Sequence, residues 1–206
     1  MSEITAITPQ VKDKTRCNVY VDGRFCCGLT LETAVKNRLK VGQMIVEERL
    51  AEMQLESEKA TALDKALVHL SATRKTEKQI RVFLAGKGYL SAVSDYVIEK
   101  LREYNFLNDG EYAEAYVENA AKYKGGRLIR MELKSKGVSD EAIDGALGGL
   151  DGEAEEETAK RLLAKYLRGK TVDAQTRQKA YRHLLFKGFD YETAKAALRE
   201  YETDDD

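Results

Sequence analysis

Leu84-Ala85-Gly86-Lys87-Gly88-Tyr89, Leu133-Lys134-Ser135-Lys136-Gly137-Val138 and Leu184-Leu185-Phe186-Lys187-Gly188-Phe189 are three copies of one pattern. Each has a Leu four residues before a Gly, a Lys directly before it and an apolar residue directly after it. The copies recur at a period of about fifty residues, the signature of tandem repeats of one supersecondary unit. Upstream of each Gly the apolar residues fall at helical spacing: Ile80, Phe83 and Leu84, then Ile129 and Leu133, then Ala180, Leu184 and Leu185. The Gly therefore ends a helix in the left-handed conformation, and the apolar residue after it supplies the hydrophobic contact of a Schellman stop. The Lys sits at the negative end of the helix dipole.

A second helix begins almost at once. Ser91, Ser139 and Asp190 are good N-cap types just past each turn. Its apolar face holds Ile98 and Leu101, then Ile143, Leu147 and Leu150, then Ala194, Leu198 and Tyr201. A further helix precedes each motif, over roughly 60–71, 110–122 and 154–168. Thr76-Glu77-Lys78-Gln79 carries a capping-box pattern, Gly125-Gly126 breaks the chain before the middle helix of the second copy, and Gly169 closes the helix that opens the third. The fold expected is mainly α: three tandem three-helix repeats forming an elongated curved body, with a small N-terminal β-hairpin and helix extension. The boundaries expected are 1–59 for the extension, 60–108, 109–151 and 152–203 for the repeats, and 204–206 for an acidic tail.

The extension has a different pattern. Ile4 to Pro9 is strand-like, and Arg16–Val21 and Arg24–Gly28 flank Asp22-Gly23, a strong hairpin signal. Val21 is then opposite Arg24 and Tyr20 opposite Phe25, with Cys17, Val19 and Cys26 on one face. Thr30 caps a short helix through Leu39, with Gly42 as its stop, and a helical period runs from Glu47 to Leu70. A two-stranded hairpin is marginal alone, so it should pack on the long helix or find an extra strand in a partner.

Net charge is −1, which excludes a generic polyanion binder. Three cysteines, Cys17, Cys26 and Cys27, lack redox or zinc spacing and read as reduced thiols of a cytoplasmic protein. There is no apolar run of membrane-spanning length and no signal-peptide pattern. His69 and His183 have no partner at metal-ligand spacing, and no phosphate loop or nucleophile–base arrangement is present. No catalytic residue, metal site or cofactor is expected, and the chain reads as a non-enzyme. Tyr104, Phe106, Tyr112, Tyr116 and Tyr123 read as core at the first repeat junction. Charge is uneven, with the middle-helix segments locally basic. Arg74, Lys75, Lys78 and Arg81 mark the first copy, Lys122, Lys124, Arg127, Arg130 and Lys134 the second, and Arg177, Lys179 and Arg182 the third.

The three turns, together with Leu107-Asn108-Asp109-Gly110-Glu111-Tyr112-Ala113 and the segment Gly126-Arg127-Leu128-Ile129-Arg130-Met131-Glu132-Leu133-Lys134-Ser135-Lys136-Gly137, resemble the RecX family of bacterial recombinase regulators. Val19-Tyr20-Val21-Asp22-Gly23-Arg24-Phe25 resembles that family's longer N-termini. The third copy departs where Gln175-Thr176-Arg177 replaces a more arginine-rich stretch and Ala180 stands where the others have Ile. The resemblance implies a cytoplasmic regulator, monomeric, that binds the RecA–DNA filament and mostly inhibits it in DNA repair and the SOS response. The twelve basic residues named above would be its filament-binding surface, with weak direct DNA contact. The alternative reading is an autonomous helical-repeat DNA-binding protein. Against it, the helices after the turns begin with acid and lack the Arg, Asn or Gln a major-groove reader uses.

Overall fold

The computed structural model describes residues 1–11 and 13–201. The acidic tail expected at 204–206 lies outside them. The N-terminal strands β1 (Ser2–Pro9), β2 (Arg16–Val21) and β3 (Arg24–Thr30) are followed by helix α1 (Leu31–Lys36) and strand β4 (Met44–Ile45). They form an antiparallel sheet in the order β3-β2-β1-β4. The hairpin thus finds its extra strands in its own chain. Asp22 (φ 48°) and Gly23 (φ 80°) make the turn, and Tyr20 faces Phe25 and Val21 faces Arg24 as the register predicts.

One expectation for the sheet is corrected. The register shifts between Val19 and Tyr20, so Val19 faces Cys27 and Cys26 is the extra residue of a bulge. Cys27 and Leu29 therefore join Cys17 and Val19 on the buried face, while Cys26 is exposed. Helix α1 also differs. Thr30 caps it, accepting from Thr33 N at 3.1 Å. It stops at Lys36 rather than near Leu39, because Arg38 turns left-handed at φ 51° and Leu39 N donates back to Ala34 O at 3.0 Å. Gly42 serves a later turn, donating to Ile4 O at 2.8 Å.

Helix α2 (Glu47–Ala72) is continuous over 26 residues and passes through positions 59 and 60, where the sequence places the end of the extension. Its first half buries Leu50 and Met53 in the sheet's core, and Ser57 Oγ accepts from Thr30 N at 2.7 Å. Its second half buries Ala62 and Ala66 in the next core. That core is completed by α3 (Glu77–Gly86) and α4 (Ser91–Glu103) through Ile80, Leu84, Val97, Ile98 and Leu101. Helices α5 (Asp109–Ala120), α6 (Gly126–Ser135) and α7 (Asp140–Gly148) enclose Ala113, Val117, Ile129, Leu133, Val138 and Ile143. Helices α8 (Gly152–Leu167), α9 (Ala174–Phe186) and α10 (Tyr191–Leu198) enclose Leu163, Leu167, Leu184 and Phe189. The chain divides into two compact units, Met1–Arg74 with Ile80–Leu107, and Lys75–Gln79 with the residues from Asn108 onward.

The three turns share one geometry. Gly88, Gly137 and Gly188 have φ of 86°, 87° and 91°. Tyr89, Val138 and Phe189 each donate to the Leu five residues earlier at 3.2 Å, and each Gly donates three residues back at 2.9–3.0 Å. These are the paired bonds of a Schellman motif. Ser139 and Asp190 cap the helices that follow, accepting from Ala142 N at 3.2 Å and Thr193 N at 2.7 Å. The first copy differs, because Leu90 holds the cap position without a side-chain bond and Ser91 is already inside α4.

Candidate partner-binding surface

The basic residues singled out in the sequence fall into two groups. The first is tied down by acid from its own repeat. Arg81 pairs with Asp95 at 2.6 Å, Arg130 with Asp144 at 2.5 Å, Lys134 with Asp140 at 2.7 Å, and Lys124 with Glu132 at 2.5 Å. Arg81 and Arg130 hold the same place relative to Gly88 and Gly137, and so do Asp95 and Asp144. The pair from middle helix to last helix is therefore itself repeated. In the third copy the equivalent positions are Tyr181 and Lys195, and the pair is absent. These partners were the signal the sequence held and charge counting missed: the acid after each turn answers the base before it. Such half-exposed pairs contribute roughly 0–1 kcal/mol each.

The second group points to solvent or onto neighbouring backbone. Among the described residues Arg74, Lys75, Lys122, Arg177, Lys179 and Arg182 form no ion pair within 4.0 Å; Arg74, Lys122, Lys179 and Arg182 are exposed. Arg127 is exposed too and lies over the Tyr191 ring at 5.7 Å, a contact that sequence spacing gave no means of anticipating. Lys78 Nζ donates to Ser135 O at 3.0 Å. Around Glu132, burial opposes ionisation, but the Lys124 ammonium and the Tyr116 hydroxyl at 2.7 Å hold the carboxyl below its ordinary value. Burial, reinforced by Glu132, pushes the Tyr116 phenol up to about 12.

Lys78 belongs to a second arrangement. The turn after α6 is seated on the first turn of α3: Thr76 Oγ1 donates to Lys136 O at 2.6 Å. A Cβ on Gly137 would stand 2.5 Å from Lys78 Cβ. The turn after α9 is seated in the same way on the first turn of α6. Gly125 N donates to Lys187 O at 2.9 Å and Arg127 N to Gly188 O at 3.1 Å. A Cβ on Gly125 would meet Phe189 N at 2.4 Å, and one on Gly188 would meet Leu128 N at 2.4 Å, so both positions require Gly. In each case carbonyls at a helix C-terminus meet donors at the first turn of an earlier helix.

His69 stacks on Phe83 with centroids 4.1 Å apart, and His183 on Tyr166 at 4.5 Å. Among the described residues no three His, Cys, Asp or Glu side chains converge as a metal site requires. The aromatic residues near the first repeat junction do not form one core. Tyr104, Phe106 and Tyr123 are exposed, and only Tyr112 and Tyr116 are half-buried, stacked at 6.1 Å. Their helical spacing is real, but the inward positions of α5 are taken by Ala113 and Val117.

Family models match three stretches of the chain: the regulatory protein RecX N-terminal domain over residues 2–46, the RecX second three-helix domain over 108–147, and the RecX third three-helix domain over 153–198. A regulatory protein RecX of Clostridium perfringens is 36% identical over 203 residues, covering 97% of this chain and 96% of the relative. The chain belongs to the RecX family. A second RecX relative, from Bacillus velezensis, is 32% identical, with 100% of this chain and 81% of that one covered. A crystal structure of regulatory protein RecX superposes with a TM-score of 0.70 at 28% identity, covering 95% of this chain and 98% of that one. RecX from Lactobacillus salivarius gives 0.65 at 26% identity, over 69% of this chain and 96% of that one. The second RecX domain runs from the Asn108 cap of α5 to within one residue of the end of α7. The matched second and third three-helix domains fall on α5–α7 and α8–α10. Among the described residues no helix is long and apolar enough to cross a membrane.

Proposed function

We propose that this chain is a non-enzymatic, cytoplasmic regulator that binds the RecA–DNA filament as a monomer and mostly inhibits it, in DNA repair and the SOS response. The observation that carries this reading is its similarity, along 97% of its length, to relatives named regulatory protein RecX. The filament surface is formed by Arg74, Lys75, Lys78, Arg81, Lys122, Lys124, Arg127, Arg130, Lys134, Arg177, Lys179 and Arg182. Exposed cations without an internal partner, Arg74, Lys122, Lys179 and Arg182, keep their full field for a polyanionic assembly. Those paired to acid are already answered within the chain. Direct contact with DNA is weak, because net charge is −1 and the helices following the turns begin with acid and lack the Arg, Asn or Gln a major-groove reader uses.

DNA-stimulated ATP hydrolysis by the host recombinase, measured with and without this protein, tests the reading. Inhibition at substoichiometric protein, with much weaker binding to naked DNA at the same salt, is the expected outcome. Unaltered hydrolysis over the whole titration would sink it. Equal affinity for naked DNA and filament would favour autonomous DNA binding instead.

A further inference from the structure

Two of the three repeat turns are plugs. The turn after α6 offers the carbonyls of Ser135 and Lys136, and the turn after α9 those of Lys187 and Gly188, to the first turn of another helix, and each is fitted so closely that its Gly has no room for a Cβ. The third member of the set is the turn after α3, Lys87-Gly88-Tyr89. It has the same φ, the same pair of closing hydrogen bonds and the same Lys-Gly-apolar sequence. Yet a Cβ at Gly88 would meet nothing within 4 Å. Among the described residues no donor reaches Lys87 O or Gly88 O. Beside it lies a groove of about 480 Å³ in which the apolar Val68, Ala72 and Phe83 are flanked by Asp64, Lys65, His69 and Lys87.

We propose that the Lys87-Gly88-Tyr89 turn is an open plug that seats the N-terminal turn of a helix in the recombinase. Seating follows the internal pattern: the carbonyls of Lys87 and Gly88 accept from a Ser or Thr hydroxyl at the partner helix's N-cap, or from the amide of a Gly there. The negative end of α3 meets the positive end of that helix. An apolar side chain from the partner's first turn fills the groove against Phe83 and Val68. A second copy of this chain is a poor occupant. The corresponding free end in the chain is the first turn of α9, and its cap is Asp173, whose carboxylate accepts from Thr176 N at 2.7 Å. That group repels carbonyls, whereas Thr76 and Gly125 donate to them.

The inference rests on the filament-binding reading, and the test separates the two. Gly88→Ala and Gly88→Asn place a Cβ where the partner helix would sit, and Asn tolerates the left-handed backbone. Both should weaken inhibition of recombinase ATP hydrolysis by about ten-fold or more, the scale of losing one or two backbone-type bonds. A photo-crosslinking benzoylphenylalanine replacing Leu90, which is 69% exposed, should link to the first turn of a recombinase helix. Full inhibition by both folded Gly88 variants, or crosslinks only to DNA or to positions away from helix starts, overturns the plug while leaving filament regulation standing. If the unaltered protein neither binds nor inhibits the filament, both readings fall together.

Discussion

Gly88, Gly137 and Gly188 are alike in sequence and in backbone, yet they carry different loads. All three pay the left-handed penalty if given a side chain, about 1 kcal/mol. At Gly88 that is the whole cost, since its surroundings are open. At Gly137 a Cβ would stand 2.5 Å from Lys78 Cβ, and at Gly188 2.3 Å from Leu128 Cβ. Thermal melts of the three Gly→Ala proteins should therefore rank Gly88 mildest, with the other two losing at least about twice as much. Equal losses would mean that the seated turns yield freely. His183 gives the pH counterpart. Burial lowers its pKa from 6.5, and the nearby Lys187 and Lys170 lower it further. Lys170 Nζ lies 3.4 Å above the Tyr166 ring on which His183 stacks. With the folded pKa below the unfolded one, the unfolded chain binds the proton more readily. Stability is full above about pH 6.5 and declines as pH falls from there through the folded value. Melts at pH 7.5 and pH 5.5 should show a larger drop in the parent than in His183→Gln, and identical drops would assign the loss to other groups. The stop at each Gly was legible in the sequence, because left-handed backbone is a local demand. The room around it was not, because the atoms that crowd Gly137 come from nearly sixty residues away.

At the scale of elements, the sequence read well wherever one periodicity dominated. The turns, their paired helices and the Asp22-Gly23 hairpin register are all local patterns, and they stand as expected. Besides the Ser91 cap, three features were misread for identifiable reasons. The bulge at Cys26 costs one residue of register, and side-chain alternation beyond it inverts. Helix α1 ends early because Arg38 turns left-handed and Leu39 N bonds back to Ala34 O, a stop made without Gly. The aromatic residues kept helical spacing, but smaller side chains hold the inward positions. Helix α2 is the element on which most of the first unit depends, since one half closes the sheet and the other closes the first repeat. Ala60 lies exposed near its centre, so Ala60→Pro removes no core contact and acts through the backbone alone. It should cost about 3 kcal/mol or more, read in urea unfolding. A change within error would show that the halves of α2 stabilise their cores independently. Of the candidate surface, composition alone showed where the bases lie. It could not show which were answered, because an ion pair is a property of two helices.

For the molecule as a whole, near-neutral charge means that, on the proposed reading, attraction to a filament would come from local patches rather than from the total field. Contact spread over several repeats makes losses graded and salt-dependent. Arg127→Glu with Arg130→Glu reverses two positions on one face of α6, of which only Arg130 forms an internal ion pair. The double variant should inhibit the recombinase several-fold less and with a flatter salt dependence, while the circular-dichroism helix signal is kept. Unchanged inhibition at every salt concentration would move the contact surface elsewhere. The sheet bulge has a consequence of another kind. By turning Cys26 outward while Cys17 and Cys27 stay buried, and with burial first and then Cys26 pushing the Cys27 thiol up to about 12, it leaves the native chain with one thiol open to a bulky reagent among three. A maleimide dye will therefore mark the unaltered protein at a single known place, far in sequence from every repeat turn, and fluorescence anisotropy can follow its arrival on a filament without any engineered substitution.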